Sequence, residues 1–172
     1  MTIPGVAIWA ALLGAAQSPE ATEGMHWHAQ LAVVLITICA IVASVLLHYE
    51  GLTLLQRNLG HVHMGPRRMR VLFGIIGVLL MHAIEITFFA LGYAGVHAVT
   101  DGGAIHGMPH PEFLDLMYFS AITYTTVGYG DLVPIGPLRF IAAVESLAGF
   151  VMVSWSASFT YLVMERFWGQ RS

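Results

Sequence analysis

The sequence predicts an all-α integral membrane protein, and both its composition and its hydropathy favour this fold class. Hydrophobic residues make up 57% of the 172 residues and charged residues only 10%, whereas ordinary soluble domains carry about 25% charged residues. Three apolar stretches are also long enough to cross about 30 Å of hydrocarbon, which takes roughly 20 helical residues. We therefore expect three transmembrane helices and no large water-soluble domain.

The predicted elements follow these apolar stretches in order. A first transmembrane helix over residues 29–48 leads into an arginine-containing loop, residues 49–70. An outer and an inner helix then enclose a shorter re-entrant segment, whose helix is expected to start at Pro111 and Glu112. The bounds of this second part are outer helix 71–94, external loop 95–111, re-entrant helix 112–124, a glycine-containing run 125–131, inner helix 137–166 and tail 167–172.

The N-terminal part of the chain allows two interpretations. Residues 1–28 are expected to form an external segment, whose apolar stretch Ile3–Ala16 is either a signal-peptide core or an interfacial helix. Further along, the sole cysteine, Cys39, lies within the first apolar span. One cysteine excludes an intramolecular disulfide and a cysteine-rich metal site.

The arginines predict the orientation of the chain in the membrane. All seven basic residues are arginines, and only Arg139 lies on the side opposite the other six. Positive residues accumulate on the cytoplasmic side, so the loop 49–70 and the C-terminus are predicted to be cytoplasmic and the N-terminus external. The first two spans contain no arginine, and a voltage sensor needs several within a span, so we expect none here.

The run Thr125–Asp131 reads Thr-Thr-Val-Gly-Tyr-Gly-Asp and is the most informative part of the sequence. Gly128 and Gly130 can adopt backbone angles that side chains forbid, so that successive carbonyl groups can point the same way. Val127 and Tyr129 are bulky and should face away from those carbonyls. Thr126 adds a hydroxyl oxygen below the carbonyl stack.

This run resembles the selectivity filter of tetrameric potassium channels, in which backbone carbonyls replace the hydration shell of the ion. Residues 71–166 are similar to the pore module of that family, with 112–124 as the pore helix. The resemblance implies a homotetramer and K⁺ sites at Thr126, Val127, Gly128 and Tyr129, with Gly130 completing the filter. It also implies a potassium-selective channel rather than an enzyme, with no organic cofactor, with lipids and further copies of the chain as partners, and with no nucleic acid. The expected location is a cell membrane of the bacterial inner-membrane type.

Three positions on the pore helix depart from the family pattern. Tyr118 and Phe119 stand where many potassium channels carry a tryptophan pair, and Ile122 stands where some bacterial members have a glutamate. We therefore expect Asp131 to lack its usual partners on the pore helix, although Tyr118 and Phe119 still count among the residues that support the filter. Thr123 and Thr125 are expected to support the turn from helix to filter.

The inner helix carries two further candidates. Glu145 is expected behind the filter, where Thr123, Tyr118 or a backbone amide could satisfy it; otherwise it lines a small watery pocket. Gly149 is either the hinge of a cytoplasmic gate or a site of close helix packing.

His82 and Glu85 form a polar pair on the outer helix. An ionised acid in the membrane costs roughly 2.5–3.5 kcal/mol, so Glu85 should be buried, paired or protonated, and His82 lies on the same helical face. The pair is interpreted either as a polar clamp between helices or as a proton sensor.

The remaining histidines and the rival functions complete the sequence-based hypotheses. His97, His106 and His110 in the external loop would allow modulation by protons or divalent ions, whereas His26, His28, His61 and His63 form two closely spaced pairs. A haem-binding redox protein would need paired histidines within the spans, where His82 alone lies well inside one. A non-conducting subunit of a channel assembly is the other alternative, and the gating stimulus is left open.

Overall fold

The computed structural model describes residues 19–61, 67–100 and 104–168, which form four α-helices and one two-stranded sheet. The elements in chain order are α1 (Pro19–His61), α2 (Arg67–Val99), β1 (Ala104–His106), α3 (Phe113–Tyr124), β2 (Val133–Ile135) and α4 (Leu138–Trp168). The stretch Ile3–Ala16 and His63 lie outside the described residues.

The predicted membrane fold is confirmed. Helices α1, α2 and α4 contain apolar segments long enough to cross a membrane, at Trp27–Leu59, Met69–Val99 and Leu138–Arg166. The short α3 packs between α2 and α4, in the position expected for a re-entrant pore helix. Its N-terminus is fixed by the backbone amide of Glu112, which donates to the carboxylate of Asp115 at 3.0 Å.

The first helix is much longer than predicted, which corrects the boundary between the helix at 29–48 and the loop at 49–70. Helix α1 continues to His61 because its second half has an apolar face that packs on α2. Leu52 and Leu59 are buried on that face, and Gly51 lies close to the Met81 side chain. The cytoplasmic connection predicted over 22 residues is therefore reduced to the few residues between His61 and Arg67.

The external loop 95–111 also contains regular structure that was not predicted. Helix α2 extends to Val99, with Val96 fully buried. Strand β1 then pairs with β2 in antiparallel register, with Ile105 opposite Pro134. The chain between α2 and α3 is thereby joined to the segment that follows the run 125–131.

The core surrounds α3. Large side chains from α2, α3 and α4 are fully or almost fully buried there, among them Phe89, Tyr93, Phe119, Tyr124 and Ile141. The rings of Tyr93 and Phe119 meet edge to face, with centroids 4.9 Å apart. At the other end of the bundle, Leu59, Val71 and Val163 bring the end of α1, the start of α2 and the end of α4 together.

Candidate functional site

The run 125–131 leaves the end of α3 as an irregular strip with an unusual backbone. The φ angle is positive at Thr126 (59°), Gly128 (48°) and Gly130 (84°), and these residues alternate with Val127 and Tyr129. Such alternation turns successive carbonyl groups toward one side of the strip, which an ordinary strand does not do. Thr126 is the one residue other than glycine with positive φ in the described chain. Backbone strain of this kind is characteristic of functional sites.

Backbone hydrogen bonds tie the start of the strip to the pore helix. The amide of Thr126 donates to the carbonyl of Thr123, and the amide of Gly128 donates to the carbonyl of Ile122, both at 3.0 Å. The Thr125 hydroxyl donates to the carbonyl of Ala121 at 2.7 Å. Thr123 and Thr125 thus lie where the sequence placed them, at the turn from α3 into the strip.

The outer side chains of the strip are largely exposed in the described part of the chain. Val127 is 53% exposed and Tyr129 is 72% exposed. A Cβ atom added to Gly128 or Gly130 would meet nothing within 4 Å. Beside the strip lies a cavity of about 420 Å³, lined by α3, α4 and the residues after the strip, including Ile122, Leu132 and Ser146. One chain therefore presents the strip without enclosing it.

Asp131 has a substitute partner on the pore helix, although the usual tryptophan and glutamate partners are absent from the sequence, as noted above. The Tyr118 hydroxyl donates to the Asp131 carboxylate at 2.9 Å. The phenol of Tyr118 supplies the hydrogen-bond donor that the missing tryptophan would have supplied. The hydrogen bond to Asp131 raises the pKa of Tyr118 above its ordinary value of 10.0, because it stabilises the protonated phenol. Phe119, by contrast, is buried against Tyr93.

Glu145 is buried behind the pore helix but has other partners than those predicted. It accepts a short hydrogen bond from the Tyr93 hydroxyl and contacts the Ser120 hydroxyl at 2.5 Å. Neither Thr123 nor Tyr118 is its partner in the described structure, because Glu145 faces the α2 side of α3. The Ser120 hydroxyl also lies 2.9 Å from the carbonyl of Ile86. The carboxyl group thus links all three helices of the pore module.

The pair His82–Glu85 belongs to a larger cluster, which we call the Glu85 cluster: His48, His82, Glu85 and Tyr124. His82 Nδ1 lies 2.9 Å from Glu85 Oε2 and 3.0 Å from the Tyr124 hydroxyl. His48 Nδ1 lies 2.8 Å from Glu85 Oε1, and the Tyr124 hydroxyl donates a short hydrogen bond to Glu85. The cluster therefore joins α1 and α2 to the last residue of the pore helix.

His48 was missed by the sequence analysis, because the predicted first helix, 29–48, placed it at the very end of the span. Within the longer α1 it lies well inside the span Trp27–Leu59 and is fully buried. The statement that His82 alone lies well inside a span is therefore wrong. The ring centroids of His48 and His82 are 5.5 Å apart, and both rings bind the same carboxylate, an arrangement that leaves no gap for a porphyrin.

Gly149 lies directly against the pore helix. A Cβ atom at this position would come within 2.0 Å of the Tyr124 carbonyl oxygen. This contact supports the interpretation of Gly149 as a site of close helix packing, and the hinge stays a prediction. Among the external histidines, His97 and His106 line one cavity of about 400 Å³ together with Tyr93.

Comparison with known proteins found a family match for the second half of the chain. Residues 104–166 match the model of a family described as ion channel. The chain is 33% identical over 82 residues to an inward rectifier potassium channel of Paramagnetospirillum magnetotacticum, covering 47% of this chain and 26% of the relative. It is 40% identical over 68 residues to a two pore potassium channel of Oryza sativa subsp. japonica, covering 40% of this chain and 18% of the relative.

A third relative is the protein LctB of Geobacillus stearothermophilus, 47% identical over 72 residues, with 36% of this chain and 54% of the relative covered. The chain thus spans between 18% and 54% of the length of these three relatives. No solved structure matches it significantly. Residues 104–166, which contain the pore helix, the strip 125–131 and most of α4, therefore match an ion-channel family, in agreement with the resemblance to potassium channels that the sequence showed.

Proposed function

We propose that four copies of this chain form a potassium-selective channel, in which the strips 125–131 surround a common axis and conduct K⁺ passively. The observation that carries the proposal is the alternation of positive φ along a strip whose outer side chains, Val127 and Tyr129, are more than half exposed in the described part of the chain. Carbonyls on one side of such a strip can replace the water around K⁺ only when several strips face each other. K⁺ is the transported ion, bound by the carbonyls from Thr126 to Tyr129 and by the Thr126 hydroxyl.

The fourfold assembly explains the exposed surface beside the strip. In a tetramer, Tyr129 would pack against a neighbouring copy, and the cavity of about 420 Å³ next to the strip would be closed. The inner helix offers further apolar surface for a neighbour or for lipid, since Leu147 and Phe150 are more than 60% exposed. Native mass spectrometry of the purified protein should find four chains per particle.

The positions of the arginines in the folded chain support one orientation in the membrane. Arg57, Arg70 and Arg166 lie near the end of the bundle where Leu59, Val71 and Val163 meet, and Arg139 lies at the opposite end of α4. We infer that the first end is cytoplasmic and that the strip lies near the external face. Cys39 is the sole cysteine and lies within a membrane span. A His110→Cys variant therefore adds one cysteine outside the spans, whose labelling by a membrane-impermeant thiol reagent can be measured in intact cells. Labelling from outside is expected, and labelling that requires permeabilised cells would contradict this orientation.

The decisive experiment measures ion flux into liposomes that contain this protein alone. We expect K⁺ uptake that Ba²⁺ blocks and that Na⁺ does not support. The matched pair of variants is Gly128→Ala and Gly74→Ala. At Gly128 the added methyl group meets nothing within 4 Å but φ is positive, whereas Gly74 is helical and the methyl group would make ordinary contact with Leu59.

Alanine at Gly128 must adopt a left-handed conformation that costs about 1–2 kcal/mol. We therefore expect Gly128→Ala to abolish K⁺ flux in an intact tetramer and Gly74→Ala to retain it. Wild-type protein that forms tetramers but carries no K⁺ would contradict the proposal and favour a non-conducting subunit. Equal uptake of Na⁺ and K⁺ would contradict potassium selectivity.

A further inference from the structure

We propose that His48, His82 and Glu85 form a binding site for a divalent first-row transition metal of the zinc class, inside the membrane and separate from the ion path. One nitrogen or oxygen atom from each of the three residues lies within 4.8 Å of the others. Two imidazoles and a carboxylate are ligands that Zn²⁺ commonly takes in proteins, with a water in the fourth position. This inference does not depend on the proposed conduction of K⁺.

The distances within the cluster are close to those that a metal requires. Ligands on a tetrahedral Zn²⁺ lie roughly 3.3 Å apart, given metal–ligand bonds of about 2.0–2.2 Å. The separations are 2.8 Å from Glu85 Oε1 to His48 Nδ1 and 2.9 Å from Glu85 Oε2 to His82 Nδ1. Small movements of side chains would therefore admit an ion between groups that two helices already hold together.

The surroundings of His48 fit a ligand better than a simple hydrogen-bonded clamp. When Nδ1 binds a metal, the ring proton resides on Nε2 and needs an acceptor. The Ser156 hydroxyl on α4 lies 3.4 Å from His48 Nε2. The Trp155 ring, 5.0 Å from the His48 ring, covers one side of the imidazole. A clamp between α1 and α2 would need one histidine, whereas two converge on the same carboxylate.

Burial and charge are also consistent with a metal site. His48 and Glu85 are fully buried, while the His82 side chain retains 13% exposure, which gives an ion a route of entry. The Glu85 carboxylate offsets part of the charge of a bound dication, as a buried charge requires. Tyr124 is a positioning residue, because its hydroxyl donates to Glu85 and holds the carboxylate in place.

The test is a Co²⁺ and Zn²⁺ titration of tag-free, chelator-stripped protein in detergent. We expect one metal ion per chain by elemental analysis, and visible absorption bands of Co²⁺ in a low-coordinate site that Zn²⁺ displaces. His48→Gln and Glu85→Gln should each weaken binding at least about tenfold, and Tyr124→Phe should weaken it about tenfold as loss of a residue that orients a ligand. The matched control is His106→Gln, in the external strand, which should bind like wild type.

Two further readouts keep the test decisive if a ligand variant fails to assemble. Co²⁺ should quench the fluorescence of Trp155, and Trp155→Phe should lose that quenching while still binding one ion per chain. The Gly128→Ala variant should also bind one ion, since the site does not involve the filter. Wild-type protein without bound metal, binding that His106→Gln removes, or binding that survives both His48→Gln and Glu85→Gln would overturn the proposal.

Discussion

Glu85 and Glu145 are both fully buried acids in membrane-spanning helices, yet their surroundings differ in kind. Glu85 is contacted by two imidazoles, from His48 and His82, and by the Tyr124 hydroxyl. Glu145 is contacted by hydroxyl groups, from Tyr93 and Ser120. The comparison shows that a buried acid cannot be assigned a role from its depth alone, because the neighbouring groups decide whether it can remain charged.

The hydrogen bonds around Glu145 are complete when this acid carries a proton. Ser120 has one hydroxyl proton but two acceptors within reach, the carbonyl of Ile86 at 2.9 Å and Glu145 Oε1 at 2.5 Å. If Glu145 donates its proton to the Ser120 oxygen, Ser120 can donate to Ile86 and Tyr93 can donate to the other carboxyl oxygen. Glu85, in contrast, accepts from the Tyr124 hydroxyl and lies beside two imidazole nitrogens that are able to donate, surroundings that suit a carboxylate, which only accepts.

The largest expected effect comes from replacing each acid by leucine. Glu85→Leu removes the partner that His48, His82 and Tyr124 share, and although His82 and Tyr124 can still bond each other, removing one partner of a buried charged pair costs about 3–5 kcal/mol. Glu145→Leu strips the acceptor from Tyr93 only, since Ser120 retains Ile86, and should cost about 1–3 kcal/mol. Denaturant titration of the detergent-solubilised tetramer measures both. Equal losses would remove the distinction between the two acids.

Gly149 contacts Tyr124, so replacing this glycine tests how far the Glu85 cluster depends on α4. The Cβ atom of Gly149→Ala would overlap the Tyr124 carbonyl, so the pore helix must shift, at a cost of about 1–3 kcal/mol or more. Gly95→Ala is the control, because its nearest neighbour, Ile36, lies at 3.5 Å. We expect lower thermal stability and lower K⁺ flux for Gly149→Ala alone. Retained flux with normal stability would instead favour a tolerant, hinge-like position.

If Glu145 is protonated, Glu145→Gln should change the free energy of unfolding very little. The glutamine amide can donate to the Ser120 oxygen, as the protonated acid would, and its oxygen can accept from Tyr93. We expect a change below about 1 kcal/mol in the free energy of unfolding, since all hydrogen bonds are kept. A loss as large as that of Glu145→Leu would show that Glu145 is buried as a carboxylate.

The smallest effect is expected at the exposed Tyr118–Asp131 pair, which offers a third environment for an acid. Because the hydrogen bond raises the pKa of Tyr118, its stabilisation is present at neutral pH and is lost as the pH rises through that raised pKa. Tyr118→Phe should therefore lack an alkaline step in thermal stability that wild type shows. Asp131→Asn is the control, since it keeps an acceptor oxygen without the charge. An identical alkaline profile in all three proteins would contradict this assignment.

The sequence predicted the elements that depend on local signals. The pore helix was expected at 112–124 and runs from Phe113 to Tyr124, and the inner helix was expected at 137–166 and runs from Leu138 to Trp168. Proline and acidic residues mark the start of the pore helix, and a long, mainly apolar stretch marks the inner helix. The positive φ at the two filter glycines follows from their lack of a side chain.

The contacts that the sequence could not reveal join residues far apart in the chain. His48 and Tyr124 lie 37 and 39 positions from Glu85, whereas helical spacing relates residues three or four apart. The leucines that follow His48 could have revealed that it lies inside the helix, because Leu52 and Leu59 continue the apolar face of α1. The partner of Asp131 was missed because a tyrosine was not considered as a substitute for an indole donor.

The two-stranded sheet gives the strip 125–131 a second fixed point. Strand β2 starts at Val133, two residues after Asp131, and the backbone of Gly107 lies against the Asp131 carbonyl, where even a Cβ atom would come within 2.6 Å. The beginning of the strip is held by hydrogen bonds to the pore helix. Because both ends are anchored, the distance that the strip spans is fixed, and adjustment along it is limited to rotation of single peptide planes.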